Sequence, residues 1–107
     1  MTELEQQIVT IISAAGASKA KAFEALRKVK ESDYDGARAL LAESRQADLE
    51  AHKVQTALIT AEMSGAERPE IGLLMVHAQD HYMTSQLARD LVEEFIDIFE
   101  AKEKGGE

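Results

Sequence analysis

Between Ala37 and Ala61 the residues Ala37, Leu40, Ser44, Ala47, Ala51, Val54, Leu58 and Ala61 recur at alternating spacings of three and four. A seven-residue repeat of this kind is the seam of a left-handed helical bundle. Most of these residues are small, so the neighbouring backbones should approach closely. With one Pro and six Gly in 107 residues, the chain has little material for β-turns, and its composition favours helix.

The same spacing recurs on either side. From about Thr2 to Lys30, the positions Ile8, Ile11, Ile12, Ala15, Ala22, Phe23, Leu26 and Val29 predict a first helix. Gly16 interrupts it, at roughly 1 kcal/mol against Ala. The reading is close approach of a neighbouring helix, with room for something bulky beside a site as the alternative. Ser32-Asp33-Tyr34-Asp35-Gly36 is a break, with Ser32 or Asp33 as the cap of a second helix from about Tyr34 to Met63. Residues 64–70 form the second loop and contain the only proline, Pro69. The third helix should run from about Glu70 to Lys102, followed by a flexible tail at 103–107. It carries two stripes. Ile71, Leu74, Ala78, His81, Ser85, Ala88, Val92, Phe95 and Phe99 form one, and Leu73, His77, Asp80, Thr84, Leu87, Leu91 and Ile98 the other.

Three helices of about 30 residues, each roughly 45 Å long, predict an all-α, antiparallel up-down-up bundle filling residues 1–107 as one domain. The third helix has more apolar width than two partners need, so the bundle should oligomerise.

Composition narrows the function. There is no Cys, which removes thiolate catalysis, disulfides and Cys-ligated zinc. The net charge of −8, from 12 basic and 20 acidic residues, argues against nucleic acid and anionic membrane as partners. No apolar run nears the roughly 18 residues of a membrane span. The acidic start, Met1-Thr2-Glu3-Leu4-Glu5, lacks the basic region of a signal peptide. A cytoplasmic setting is the expectation. Aromatics make up only 5% and Trp is absent, which does not support a stacking platform for sugars or bases.

The chemistry concentrates in Val76-His77-Ala78-Gln79-Asp80-His81-Tyr82-Met83-Thr84. On a helix His77, Asp80, His81 and Thr84 share one face, beside Leu73, Leu74 and Leu87. Polar groups set in an apolar stripe need partners or a task. Two tasks suit them. His77 and His81, at i and i+4, could both reach one Zn²⁺, although zinc peptidases use Glu as base and need a third ligand. Alternatively, a histidine could carry a phosphoryl group. An imidazole of ordinary pKa is largely unprotonated and nucleophilic at pH 7, and the protein then supplies positioning and charge stabilisation. His77 would be the nucleophile, with Gln79 and His81 as hydrogen-bond donors to the phosphoryl oxygens. The motif has no Gly-rich phosphate loop and no Lys, which disfavours a nucleotide-using kinase. His52 and Gln55 lie beside the second helix's seam, and His52 reads as a surface or hydrogen-bonded structural residue.

The segment from Val76 to Thr84 resembles the signature of the enzyme IIA component, lactose/cellobiose type, of the phosphoenolpyruvate-dependent sugar phosphotransferase system. Ala15-Gly16, Glu24-Ala25-Leu26, Asp33-Tyr34 and Glu50-Ala51-His52-Lys53-Val54-Gln55-Thr56 resemble its other recurring blocks, so the likeness spans about Ile8 to Phe99. It departs at Gly16-Ala17-Ser18-Lys19, where the family usually has Asp or Asn after the Gly, then Ala and Arg. The resemblance implies a cytoplasmic phosphocarrier that takes a phosphoryl group from the histidine phosphocarrier protein onto His77 and passes it to enzyme IIB. It implies a homotrimer of three-helix subunits, with Asp80 of each subunit around one divalent metal ion, Mg²⁺ by its taste for carboxylates. The sugar would never touch this component. The rival readings are a non-catalytic helical adaptor and a small His/Asp metal-binding protein.

Overall fold

The computed structural model describes residues 1–65 and 70–105. They form three helices and no strand: α1 (Glu3–Lys30), α2 (Tyr34–Met63) and α3 (Leu73–Gly105). Cross-contacts fix the directions. Arg38 reaches Glu100, Arg45 reaches Glu93, Asp48 reaches Arg89, His52 reaches Tyr82 and Gln55 reaches Gln79. Partners on α3 recede as α2 advances, so these two helices are antiparallel. Ile8 and Ile11 share a cluster with Met75 and Tyr82, whereas Ala25 and Val29 share one with Val92 and Ile96, so α1 and α3 run together. The result is the up-down-up bundle, 60 × 24 × 20 Å in extent. Among the described residues, no helix is long and apolar enough to cross a membrane.

Local chemistry sets the helix ends. Thr2 and Glu5 form a reciprocal capping box, with Glu5 N–H donating to Thr2 Oγ1 at 3.1 Å and Thr2 N–H donating to Glu5 Oε1 at 3.2 Å. α1 ends in a Schellman turn. Ser32 N–H donates to the Val29 carbonyl at 3.0 Å and Asp33 N–H to the Lys28 carbonyl at 2.9 Å, with Ser32 in the left-handed region at φ 60°. Asp33 then caps α2 by accepting from Gly36 N–H at 2.9 Å. A Cβ on Gly36 would stand 2.2 Å from Asp33 Oδ2, so this cap needs glycine. Ser32 and Asp33, the two capping candidates, thus divide the turn between them.

α3 departs from expectation at both ends. It starts at Leu73, not near Glu70. The first helical bond runs from Val76 N–H to the carbonyl of Gly72, a poor helix former that marks the boundary. Pro69 and the rest of 66–69 lie outside the described residues. At the other end α3 continues to Gly105, so residues 103–105 of the expected tail are helical; 106–107 lie outside the described residues. Lys102 and Lys104 in the last turn suit the negative end of the helix dipole, and Tyr34 OH donates to the Glu103 carboxylate.

The core has two apolar clusters with a polar layer between them. Ala22, Ala25, Val29, Ala37, Leu41, Val92 and Ile96 fill one end, and Ile8, Ile11, Ala51, Met75, Ala78 and Tyr82 the other. Between them Ser18, Ser44, Asp48 and Ser85 are buried. Ser44 Oγ donates to the Ser18 carbonyl at 2.6 Å, and Arg89 Nη1 lies 3.2 Å from Asp48 Oδ2 and 3.3 Å from Ser18 Oγ. Asp48 Oδ1 is buried without a hydrogen-bond partner. The seam of α3 is therefore Met75, Ala78, Tyr82, Ser85, Val92 and Ile96, with Arg89 in the same register. Of the first expected stripe, Ala78, Ser85 and Val92 lie in this seam while Phe95 and Phe99 are exposed beside it, and the second stripe is exposed throughout. Phe23 is also exposed rather than core.

The close approach expected at Gly16 is absent. A Cβ there would meet nothing within 4 Å.

Candidate functional site

The seam places the polar motif. With Met75, Ala78 and Tyr82 turned inward, His77, Asp80 and Thr84 are turned out and His81 stands half-buried at the edge. The His77 and His81 rings meet edge to face, 4.5 Å between centroids, with their Nε2 atoms 3.2 Å apart. That is hydrogen-bonding distance between two imidazoles, so one nitrogen donates and the other accepts. His81 Nδ1 is buried without a partner. Thr84 Oγ1 donates to the Asp80 carbonyl at 2.7 Å, one turn back.

These four side chains and Lys19 of α1 line a shallow depression of about 190 Å³. The structure thus gathers His77, Asp80, His81 and Thr84 as the spacing predicts. It adds Lys19, which the sequence did not single out, because only the packing of α1 on α3 brings it there.

Gln79 is elsewhere. Two residues beyond His77, it faces α2, where its amide exchanges paired hydrogen bonds with Gln55, both at 2.7 Å. Its amide also contacts Met75 Sδ at 3.8 Å. The expected donation from Gln79 to a group on His77 is not available to this conformation. The physical reason is helical phase, since residues two apart point to different sides. The Gln55–Gln79 pair instead forms part of the wall of a groove of about 340 Å³ between α2 and α3, with Leu58, Ile59, Val76 and Met83.

His52 takes the structural role expected for it. Its Nδ1 lies 2.9 Å from Tyr82 OH, anchoring the seam within the motif itself. Burial, and then the charge of Asp48, push the Tyr82 phenol above its ordinary pKa. Ala17, where the sequence departs from the resemblance, is exposed on α1. Among the described residues, no group of three or more His, Cys, Asp or Glu gathers in one chain in a way that could hold a metal. The zinc reading of His77 and His81 therefore lacks its third ligand within a single subunit.

Comparison with known proteins agrees along most of the chain. The family described as "PTS system, Lactose/Cellobiose specific IIA subunit" matches residues 6–100. The N,N'-diacetylchitobiose-specific EIIA component of Escherichia coli K12 is 42% identical over 98 residues, covering 92% of this chain and 84% of that protein. The crystal structure of the cellobiose-specific enzyme IIA from Bacillus anthracis superimposes with a TM-score of 0.90 at 36% identity, over 97% of this chain and 94% of that one. The IIA(Chitobiose) subunit in the solution structure of its complex with HPr, from the Escherichia coli phosphotransferase system, gives a TM-score of 0.78 at 38% identity, over 96% and 99% of the two chains.

Proposed function

The chain belongs to the lactose/cellobiose-specific IIA subunit family of the phosphotransferase system, and on that premise we propose that His77 is the residue that carries its phosphoryl group. The protein would accept that group from the histidine phosphocarrier protein HPr and hand it to enzyme IIB, on the cytoplasmic side of a sugar uptake system. The observation that carries the reading is the exposed His77 ring, its Nε2 hydrogen-bonded to His81 in an open depression.

His81 has one buried nitrogen without a partner. Buried N–H groups are the rarer kind of orphan, so its proton is assigned to Nε2. His81 then donates to the Nε2 lone pair of His77 and holds that nitrogen unprotonated. In the transfer this hydrogen bond is given up, and the freed lone pair attacks phosphorus as the P–N bond of the donor phosphohistidine breaks in line. The donor nitrogen keeps the bonding electrons and takes a proton from water, and His77 releases its Nδ1 proton to water. The His81 Nε2–H is then free to turn onto a phosphoryl oxygen. Little covalent work falls to the protein; alignment and charge do the rest. Incubation of His77→Ala with phosphoenolpyruvate, enzyme I and HPr tests this. It should gain no phosphoryl group while keeping its helix content, and labelling of that variant at wild-type level refutes the assignment.

We also propose that the subunits form a homotrimer. Leu73, Leu87, Leu91 and Ile98, the apolar members of the second stripe, are 47–85% exposed in the single chain. A stripe of that size calls for a cover. Asp80 lies in it, exposed and without an ion pair among the described residues. A single hard oxygen donor per chain, free of any partner within its own subunit, fits a divalent cation shared between copies. Such an ion would neutralise carboxylates that otherwise repel.

A further inference from the structure

We propose that Lys19 supplies the counter-charge for the phosphoryl group on His77, an electrostatic role at the site that no residue of α3 fills. The proposal rests on the assignment of His77 above.

Lys19 is the only cation among the residues lining the depression, beside His77, Asp80, His81 and Thr84. It is half-buried and has no ion pair among the described residues. Lys21, two residues on, is by contrast already engaged with Glu24 at 3.5 Å and Glu43 at 3.7 Å. The ammonium of Lys19 is thus uncommitted, on a flexible four-carbon stem. A phosphoryl group brings about two negative charges at pH 7. It would arrive in a depression where His81 offers one hydrogen bond and where the lining of this subunit holds no cationic side chain besides Lys19. Lys19 offsets that accumulation, and a charged donor to a phosphoryl oxygen is stronger than a neutral one.

The packing holds Lys19 in place. Its neighbour Ser18 is fully buried and bonded to Ser44 and Arg89, which fixes the rotation of α1 about its axis. Gly16, three residues earlier and beside Lys19 on the helix surface, leaves open space where a side chain would stand. The approach to the ammonium is therefore not crowded from within the subunit.

The test is the equilibrium constant for phosphoryl exchange with HPr, measured for wild type, Lys19→Met, Lys19→Arg and Lys19→Glu. An equilibrium constant does not depend on how the partners dock, so a lost docking contact leaves it unchanged. Lys19→Met should shift the equilibrium towards phosphorylated HPr by about tenfold, a value between an exposed ion pair and a buried charged hydrogen bond. Lys19→Glu should shift it further, and Lys19→Arg should stay within about threefold of wild type by the same reasoning. The Met effect should shrink as salt is raised. Circular dichroism confirms that each variant is folded. A Met variant matching wild type at low salt, or Met and Arg variants equally impaired, overturns the role of Lys19 while the His77 assignment stands. Wild type phosphorylated elsewhere than His77 overturns that assignment instead.

Discussion

Substitution of Asp48 by Leu should be among the most damaging single changes in the bundle. Its carboxylate is 6% exposed and faces Arg89, 13% exposed, at 3.2 Å. Removing one member of a buried pair leaves the other charge desolvated and unpaired, at a typical loss of 3–5 kcal/mol. Arg89 retains Ser18 Oγ as a partner at 3.3 Å, so the lower end applies, about 3 kcal/mol. For a domain of this size each 1 kcal/mol lowers the melting temperature by at least about 4 °C, so the fall should reach about 12 °C. Arg89→Met should behave alike, stranding a carboxylate that already has one unpaired oxygen, Asp48 Oδ1. The double variant Asp48→Leu, Arg89→Met should recover most of the loss and lie within about 1 kcal/mol of wild type, because an apolar pair replaces an ionic one. Thermal and urea unfolding at one fixed protein concentration gives the cycle, since any assembly makes stability concentration-dependent. Single variants within about 4 °C of wild type, or a double variant as unstable as the sum of its parts, would refute the claim that this layer is desolvated and coupled.

Gly36→Ala should cost about 1 kcal/mol by displacing the Asp33 cap, and Asp33→Ala in that background should add little, as urea unfolding can show. Val76→Glu and Met83→Glu, both at exposed positions, should slow phosphoryl transfer with HPr without lowering the melting temperature, whereas Met75→Glu should unfold the chain because Met75 is 7% exposed. Unchanged transfer rates would remove Val76 and Met83 from the docking surface. Chelation should weaken wild-type assembly in sedimentation, and Asp80→Leu should assemble at least as well with or without metal. A wild type indifferent to chelator, together with a monomeric Asp80→Leu, would contradict the shared ion.

Helix count, the limits of α2 and the neighbourhood of His77, Asp80, His81 and Thr84 were legible because each depends on spacing within one helix. The Asp33–Gly36 cap is a local signal that the structure follows, whereas of the repeat from Ala37 to Ala61 it buries Ala37, Ser44 and Ala51 and sets Leu41 and Asp48 between them in place of Leu40 and Ala47. The inward face of α3 was not legible. Tyr82 and Arg89 belong to its seam but look polar, and their burial depends on His52 and Asp48, which α2 brings from far away in sequence. Spacing alone therefore put Phe95 and Phe99 in one stripe with Ala78, Ser85 and Val92, of which only the last three face inward. The surplus apolar width was legible, because Leu73, Leu87 and Leu91 belong to the second stripe, which stays uncovered when the seam of α3 faces inward. Gln79 was assigned by its closeness in sequence to His77, and helical phase turns it towards Gln55 instead. Lys19 could have been found only by knowing how α1 lies against α3. Sequence spacing carries nothing about that.

The central claim is that one nitrogen of one histidine carries the phosphoryl group. Imidazole ¹H–¹⁵N correlation spectra of the ¹⁵N-labelled protein, before and after phosphorylation by HPr, test it most directly. Three histidines give three distinguishable ring systems, His52, His77 and His81. The account predicts a large change confined to His77, with Nε2 acquiring coupling to phosphorus, and a smaller change at His81 as its hydrogen bond moves from nitrogen to a phosphoryl oxygen. Phosphorus coupling at His81 or His52, or no coupling at any ring nitrogen, would contradict it.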